Sequence, residues 1–544
     1  MTFSASDRQD IIHSLSQEYH DIVIIGGGIT GAGIALDAAS RGLKVALVEK
    51  GDFASGTSSK STKLIHGGLR YLKQMEFGLV REVGKERAIV HNLAPHLVRP
   101  EKMLLPLIQG GNYGNIITSV GLMVYDVLAN VGEEDQRKML SKEETLDLEP
   151  LLKKDVVEGG GLYAEYQTDD FRLVLEIIKA AKDFGASAIN YVQVDEVLEN
   201  GGIACGVKCS DQVSGEEFSI YSDYVINATG PWVDVVRQKT EEVRGKSLHL
   251  TKGIHVVVPN ERLPVSHAVY FDISDGRMAF AIPKGEVTYI GTTDTDYNGR
   301  PEEVQANKQD VQYLIDAVND MFPTVALAFA DVKSSWAGIR PLIAEEGKSA
   351  SEISRKDEIF IAKNKMISIA GGKLTGYRQM AKKAVMEVIK MKQEKTGIKK
   401  KLKCKTRKIL LPGNGFKNYK AVGKYKKELS KRYAELDPQM LGYLVDLYGM
   451  QTEEIISRIT VNELSGITLL KAEVAFSLEA EMTLSLLDFY ERRTGRLYFD
   501  IESIAKTQDV VASVFTEFHG WSEAKKEQEL DSLERAVRKA TSFE

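Results

Sequence analysis

The sequence predicts an α/β fold in three parts: a Rossmann-like dinucleotide-binding domain, an antiparallel-sheet substrate domain, and an α-helical C-terminal domain. Three observations predict it. Residues 21–50 read as strand, glycine turn, helix and second strand; 248–339 change to alternating strands; and 418–543 carry Leu, Ile and Val at helical spacing among charges.

The chain opens with a short helix expected over 11–19, followed by Ile22-Val-Ile-Ile25, a β-branched run suited to a buried parallel strand. Gly26, Gly28 and Gly31 then match G-x-G-x-x-G, and 32–41 form a helix rich in small residues. Gly42 ends that helix, Val45-Ala-Leu-Val48 is the second strand, and Glu49 stands at its end. Gly26 permits the tight turn, Gly28 lets backbone approach a pyrophosphate, and Gly31 lets helix and strand pack closely. The helix N-terminus offers unpaired N–H groups to the pyrophosphate. Glu49 can accept both ribose hydroxyls, and its charge repels a 2′-phosphate. An adenine dinucleotide follows, with NAD and FAD equally allowed.

Residues 51–63 form a loop dense in Gly, Ser and Thr. Because it directly follows Glu49, Thr57, Ser58 and Ser59 are assigned to the cofactor, although such residues at turns often serve their own backbone. In Leu64-Ile-His-Gly-Gly-Leu-Arg-Tyr-Leu72 the glycines let backbone approach a flat ring or an anion. A histidine ordinarily titrates near neutral pH, which makes His66 a candidate for proton transfer, and Arg70 is a natural partner for phosphate or carboxylate.

Gly26-Gly-Gly-Ile-Thr-Gly-Ala-Gly33 followed by Ser61-Thr-Lys-Leu-Ile-His-Gly-Gly-Leu-Arg-Tyr-Leu72 closely resembles the FAD-dependent, aerobic-type glycerol-3-phosphate dehydrogenases, which are quinone-linked. These sit among the glycine-oxidase/D-amino-acid-oxidase-like flavoproteins. The resemblance continues through Ala94-Pro-His-Leu97, Val225-Ile-Asn-Ala-Thr-Gly-Pro-Trp232, Ile290-Gly-Thr-Thr-Asp294, Gly338-Ile-Arg-Pro-Leu342 and Gly371-Gly-Lys-Leu-Thr375. It spans about residues 18–415 in consistent order. It implies an FAD-binding Rossmann-like domain of the glutathione-reductase/D-amino-acid-oxidase type. It also implies that Arg340 faces the substrate and that Lys373 and Thr375 point toward phosphate and flavin. Gly376 departs from relatives that often carry a second Thr, and no role is assigned to it.

Further along, 77–91 has helical spacing, 103–108 reads as a strand, and 116–128 as an apolar amphipathic helix. A helix over 171–184 is expected with Thr168-Asp-Asp170 as its cap. Strands follow at 188–198, 203–209 and 218–226, the last leading into Asn227-Ala-Thr-Gly-Pro-Trp232. There Thr229 and Gly230 bring backbone to a second part of the dinucleotide. Antiparallel strands follow from 248, then a helix over 305–321 and a strand over 331–337. Arg340 is placed at a glycine–proline corner, and Gly371 and Gly372 at a second helix N-terminus beside the flavin ring.

The domains expected are an FAD-binding domain over 18–110 with about 150–247 and 340–392, and a substrate domain over 248–339 with parts of 100–150. A basic linker over 393–415 and a helical cap over 416–544 complete the chain. Residues 390–408 carry ten Lys/Arg against one Glu. They read as a solvated linker, with contact to an anionic membrane surface as the alternative.

The chain of 544 residues allows two to four domains. Its net charge of −6 gives no ground for general nucleic-acid affinity. Three cysteines, Cys205, Cys209 and Cys404, suit a reducing compartment, and no His or Cys cluster completes a metal site. No secretory signal and no apolar run near the ~20 residues of a membrane span is present, so a cytoplasmic protein is expected, peripheral on the inner face of the cell membrane if it touches one.

Oxidising a secondary alcohol requires a held carbon, a base and a hydride acceptor. Arg70, Arg340 and Lys373 are expected to converge on a phosphate dianion, with His66 as base and Tyr71 and Thr375 orienting substrate or ring. If Arg340 polarises the hydroxyl, no histidine is needed. The expected reaction is sn-glycerol 3-phosphate to dihydroxyacetone phosphate by hydride transfer to flavin N5, with electrons passing to a membrane quinone. An O₂-using oxidase shares these motifs, but the mid-chain insertion of oxidase relatives is missing between Arg300 and Arg340. Intact cations disfavour a catalytically dead flavin scaffold, and three spread cations disfavour an amino-acid oxidase, whose carboxylate substrate calls for one bidentate arginine. A homodimer is compatible with the sequence.

Overall fold

The computed structural model describes residues 3–66, 77–112, 137–241, 243–345, 356–398, 401–459 and 464–543. Arg70, Tyr71 and the helix expected over 116–128 lie outside the described residues.

Two sheets organise the chain. The first runs Glu358–Ile361, Ile367–Ala370, Glu217–Asn227, Tyr19–Ile25, Val45–Val48, Ser187–Ile189 in spatial order, with Val192–Asn200 and Ile203–Asp211 attached beside Glu217–Asn227. Its centre is parallel, Tyr19–Ile25 lying between Glu217–Asn227 and Val45–Val48. Both faces are covered, which is why these strands read as unbroken apolar runs. The helix Ile29–Ser40 is buried almost throughout, packed between Asp170–Asp183 and Tyr377–Thr396. Its small residues let the neighbouring helices approach closely: a Cβ on Gly33 would stand 2.9 Å from the Tyr377 ring.

The second sheet orders Thr295–Asp296, Lys246–Pro259, Val287–Gly291, Met278–Lys284, Ala268–Asp272, Arg99–Ile108, Val157–Gln167, Leu64–Ile65, with Ser334–Glu345 also along Lys246–Pro259 and Lys138–Leu140 on Val157–Gln167. The antiparallel expectation holds except where Ala268–Asp272 runs parallel to Arg99–Ile108. Two boundaries shift. Val157–Gln167, expected with the cofactor-binding residues, pairs along Arg99–Ile108 instead. The strand expected to stop at 337 continues as Ser334–Glu345, so Arg340 sits mid-strand opposite Thr251 rather than at a corner.

Other local expectations are corrected too. Asp169 makes no cap for the Asp170–Asp183 helix, because its carboxylate is taken by Lys284 at 2.5 Å and Arg99 at 3.5 Å. The strand expected over 188–198 breaks after Ile189, where Tyr191 has a positive φ of 54°. Residues 393–396 of the expected linker end the helix Tyr377–Thr396, and Leu402, Ile409 and Leu411 pack on the first core. Lys392 pairs with Asp21, and Lys395 with Asp223 at 3.1 Å. The described parts of the segment around Lys392, Lys395 and Leu402 are therefore fastened to the first domain.

From Tyr419 onward every described secondary-structure element is a helix. Leu441, Leu444, Ile455, Leu469 and Phe476 make a core of their own, whereas Leu478, Phe489, Tyr490 and Tyr498 share one with Tyr289 and Trp336 of the second sheet. No described helix is long and apolar enough to cross a membrane.

His96, in the turn after the helix Phe77–Leu93, is fully buried against Gly413, Gly449 and Phe416. Neither ring nitrogen has a hydrogen-bond partner among the described residues. Burial, reinforced by Arg172, pushes its pKa down to about 3. The unfolded chain takes up a proton below pH ~6.5 that the folded chain refuses until about 3. Stability from this group is therefore intact above pH ~6.5 and falls by about 2 kcal/mol between pH 7 and 5. Thermal melts should show a smaller loss of Tm between those pH values in His96→Leu than in the native chain.

Candidate active site

Strand ends of the first sheet and mid-strand residues of the second line one cavity of about 1040 Å³. At one end, Gly26 turns the chain with φ at 108°, and a Cβ there would stand 2.7 Å from the Ala228 carbonyl. Gly31 is tighter still: its Cβ would lie 1.9 Å from the Gly26 carbonyl oxygen. Glu49 accepts from Gly27 N–H at 2.7 Å and Gly51 N–H at 2.9 Å. Burial raises its pKa, against the pull of those two amides. Nearby, Lys50 pairs with Glu302 at 2.6 Å and lies 3.9 Å over the Trp232 ring.

At the other end, Arg340 donates to Thr292 Oγ1 at 2.8 Å, Thr293 O at 3.1 Å and Asp294 Oδ1 at 3.2 Å. Three glycines clear the floor beneath it. A Cβ on Gly253 would stand 2.3 Å from the Arg340 guanidinium, one on Gly291 2.1 Å from the His255 ring, and one on Gly338 2.6 Å from the Lys60 carbonyl. His255 stacks on Trp336 at 4.6 Å and meets Thr62 Oγ1 at 3.0 Å. Burial holds its pKa well below the usual range, helped by Arg340 and Lys63. His66 stands edge-on to Phe280 at 6.3 Å. Burial, then Lys373 and Arg87, bring its pKa down to about 3. Gly371 and Gly372, with φ of 75° and 74°, carry Lys373 into the same cavity.

This geometry agrees with what the chain is similar to. Residues 21–378 match the family described as FAD dependent oxidoreductase, and 404–526 the C-terminal domain of alpha-glycerophosphate oxidase. A Bacillus subtilis (strain 168) relative named aerobic glycerol-3-phosphate dehydrogenase is 46% identical over 548 residues, covering 99% of this chain and 98% of the relative. A Staphylococcus aureus (strain USA300) relative of the same name is 44% identical with the same coverage. The structure of glycerol-3-phosphate dehydrogenase from Bacillus halodurans complexed with FAD superposes with a TM-score of 0.85 at 39% identity, over 99% of each chain. The chain belongs to the FAD-dependent glycerol-3-phosphate dehydrogenase family.

The cavity fits FAD on its own geometry. It lies at the upper end of the usual size for a small-molecule site, as a dinucleotide requires. The N-terminus of Ile29–Ser40 opens into it where Gly26 and Gly28 leave no side chain, which suits a pyrophosphate. Glu49 keeps a lone pair on each oxygen for ribose hydroxyls, and Thr229, Gly230 and Gly371–Lys373 line the remaining length.

Of the residues expected at the site, Gly26, Gly28, Glu49, Thr57, Ser58, His66, Thr229, Gly230, Arg340, Gly371, Gly372, Lys373 and Thr375 line this cavity, whereas Gly31 acts from behind the turn. Thr57 and Ser58 are also spoken for by the protein: Thr57 Oγ1 donates to Ile339 O at 2.7 Å, and Ser58 Oγ accepts from Ile29 N–H at 3.0 Å. Ser59 is corrected. It is fully buried behind the lining, with its hydroxyl turned to Gly56 O at 3.5 Å. Thr375 is nearly buried and donates to His66 O at 3.3 Å, tying the two cavity walls together. Of the three cations expected to converge, Arg340 and Lys373 do share the cavity; Arg70 lies outside the described residues.

Sequence reasoning assigned no role to His255, Asp294, Lys60 or Glu165, all of which line the cavity. Glu165 pairs with Arg87 at 2.8 Å. A signal for His255 was available: glycines at 253 and 291 interrupt otherwise apolar strands, which marks a site of close approach.

Proposed function

We propose that this protein oxidises sn-glycerol 3-phosphate to dihydroxyacetone phosphate and passes the electrons to a membrane quinone. The observation that carries the reading is the opening of Arg340 and Lys373, beside the imidazoles of His66 and His255, into the cavity whose far end suits a dinucleotide. The names of the Bacillus subtilis and Staphylococcus aureus relatives support the same substrate.

FAD, when bound, would supply the hydride acceptor. The chain supplies the rest. Arg340 and Lys373, with Arg70 from the sequence, bind the phosphate dianion by charge-assisted bonds. Asp294, Thr292 and Thr293 fix the Arg340 guanidinium, so little is left to reorganise when substrate enters. Tyr71 and Thr375 orient substrate or ring. His66 is the base in this reading: with a pKa near 3 it is neutral and able to accept a proton at any physiological pH, though weakly basic. A bound dianion beside Lys373 would raise its basicity. His255 is the second imidazole in reach of the same cavity. For membrane contact, the basic run over 390–408 is the face proposed to meet anionic lipid.

Anaerobic mixing with glycerol 3-phosphate tests the reading: the yellow flavin should bleach, then recover faster with a soluble quinone than with O₂. No bleaching overturns the substrate, and stoichiometric peroxide in air overturns the quinone. In the same experiment His66→Gln should bleach about 10²–10⁴-fold more slowly. A near-native rate would remove His66 as base and leave His255→Gln as the variant expected to slow.

A further inference from the structure

The C-terminal domain touches the cofactor loop through a π-helical turn, Phe489–Arg493. Such turns are uncommon and concentrate at functional positions. This one presents Glu491, Arg492 and Arg493 in succession, all buried, to the loop that follows Glu49. Arg493 donates to the two Asp52 oxygens at 2.7 and 3.0 Å, and Arg492 Nε to the same carboxylate at 2.7 Å. Glu491 pairs with Lys60, which also meets the Tyr498 hydroxyl, and that hydroxyl donates to Glu491 Oε1 at 2.5 Å. Burial disfavours ionised Asp52, yet Arg493 and Arg492 outweigh it and hold the carboxyl below its usual range.

Between the two anchors, Asp52 and Lys60, lie Thr57 and Ser58, which line the FAD cavity. Ser58 accepts from Ile29 N–H at the start of the pyrophosphate-facing helix. Lys60 itself lines the cavity, and its carbonyl packs on Gly338, two residues from Arg340. Both ends of the loop are thus held by buried charges of another domain, and Glu491 also pairs with Arg492, so the two anchors belong to one charge network.

We infer that Phe489–Arg493 is a positioning element for FAD: through Asp52 and Lys60 it holds the 52–60 loop against the cofactor, so C-terminal docking and FAD retention are coupled. Coupling is reciprocal: a change that loosens the turn loosens FAD, and bound FAD tightens the turn.

FAD release from the holoenzyme, followed by free-flavin fluorescence after dilution, reads the coupling without substrate. Its outcome is therefore independent of which alcohol is oxidised. Glu491→Gln keeps shape and removes the charge opposite Lys60; release should quicken about tenfold, within the usual 5–150-fold range of such couplings. In a Lys60→Met background the same change should accelerate release less, because one of Glu491's two cationic partners is already gone and only Arg492 remains. Unaltered release, or equal acceleration in both backgrounds, overturns the inference. Where Glu491→Gln does not fold, Tyr498→Phe leaves the ion pair and removes only the hydroxyl; release should quicken about threefold, and a native rate overturns it equally. Hydrogen exchange at 489–499 should slow when FAD binds, and exchange indifferent to FAD also sinks the idea.

Discussion

Gly253→Ala should lose about 10²-fold in kcat/KM with glycerol 3-phosphate while FAD stays bound and the fold survives. The new Cβ would lie 2.3–2.6 Å from the guanidinium atoms of Arg340. The obstacle is the far end of a flexible side chain, so the strand Lys246–Pro259 stays and the guanidinium moves. It then surrenders its bonds to Thr292, Thr293 and Asp294, which together fix its plane. A displacement of about 1 Å in a substrate-positioning group is worth this much, since the reacting carbon is no longer held in line. Arg340→Lys should lose at least as much, because a point-like ammonium cannot reproduce a planar three-way grip. The double variant should be no worse than Arg340→Lys alone, because both act on one guanidinium. Steady-state kinetics with flavin absorbance and Tm measured on the same samples checks this; native kinetics in Gly253→Ala would remove Arg340 from substrate positioning.

The two ends of the cavity were unequally legible in the sequence. The Gly26–Glu49 end is local: its strand, turn, helix and acid lie within thirty residues, and each spacing has a steric reason. The Arg340 end is not. Gly338 and Pro341 look like a corner, yet the strand runs through both. Ser334–Glu345 pairs on one side, with Lys246–Pro259, among the described residues, and an edge position tolerates a proline without an N–H to give. Gly338 is small because Lys60 packs on it, a contact between segments far apart in the chain. The same holds for His255, whose space is granted by Gly291 on the neighbouring strand. The loop hydroxyls show the opposite failure: composition placed Ser59 beside a ligand, but a Ser at a turn found its own backbone. Similarly, the charges over 390–408 masked the irregularly spaced Leu402, Ile409 and Leu411 that fasten the segment to the first core.

Gly31→Ala should empty the cofactor site, and here the clash has nowhere to go. The Cβ would stand 1.9 Å from the Gly26 carbonyl oxygen, which is backbone. That carbonyl cannot retreat freely, because Gly26 is itself wedged against the Ala228 carbonyl and holds φ at 108°. The Ile29–Ser40 helix must therefore lift from the strand Tyr19–Ile25. That movement takes the Ile29 amide from Ser58 and pulls the helix N-terminus out of the cavity. Overpacking of this kind typically costs about 1–3 kcal/mol in a core that can adjust, and more where backbone meets backbone. Gly33→Ala, two residues along the same helix, makes the contrast. Its Cβ would meet the Tyr377 ring at 2.9 Å and Ala381 Cβ at 3.2 Å, both side chains on a neighbouring helix that can shift. Purified Gly31→Ala should be colourless, with Tm lowered by several degrees, whereas Gly33→Ala should stay yellow at a near-native flavin-to-protein ratio. Full flavin content in Gly31→Ala would mean that the contact between turn and helix does not hold FAD.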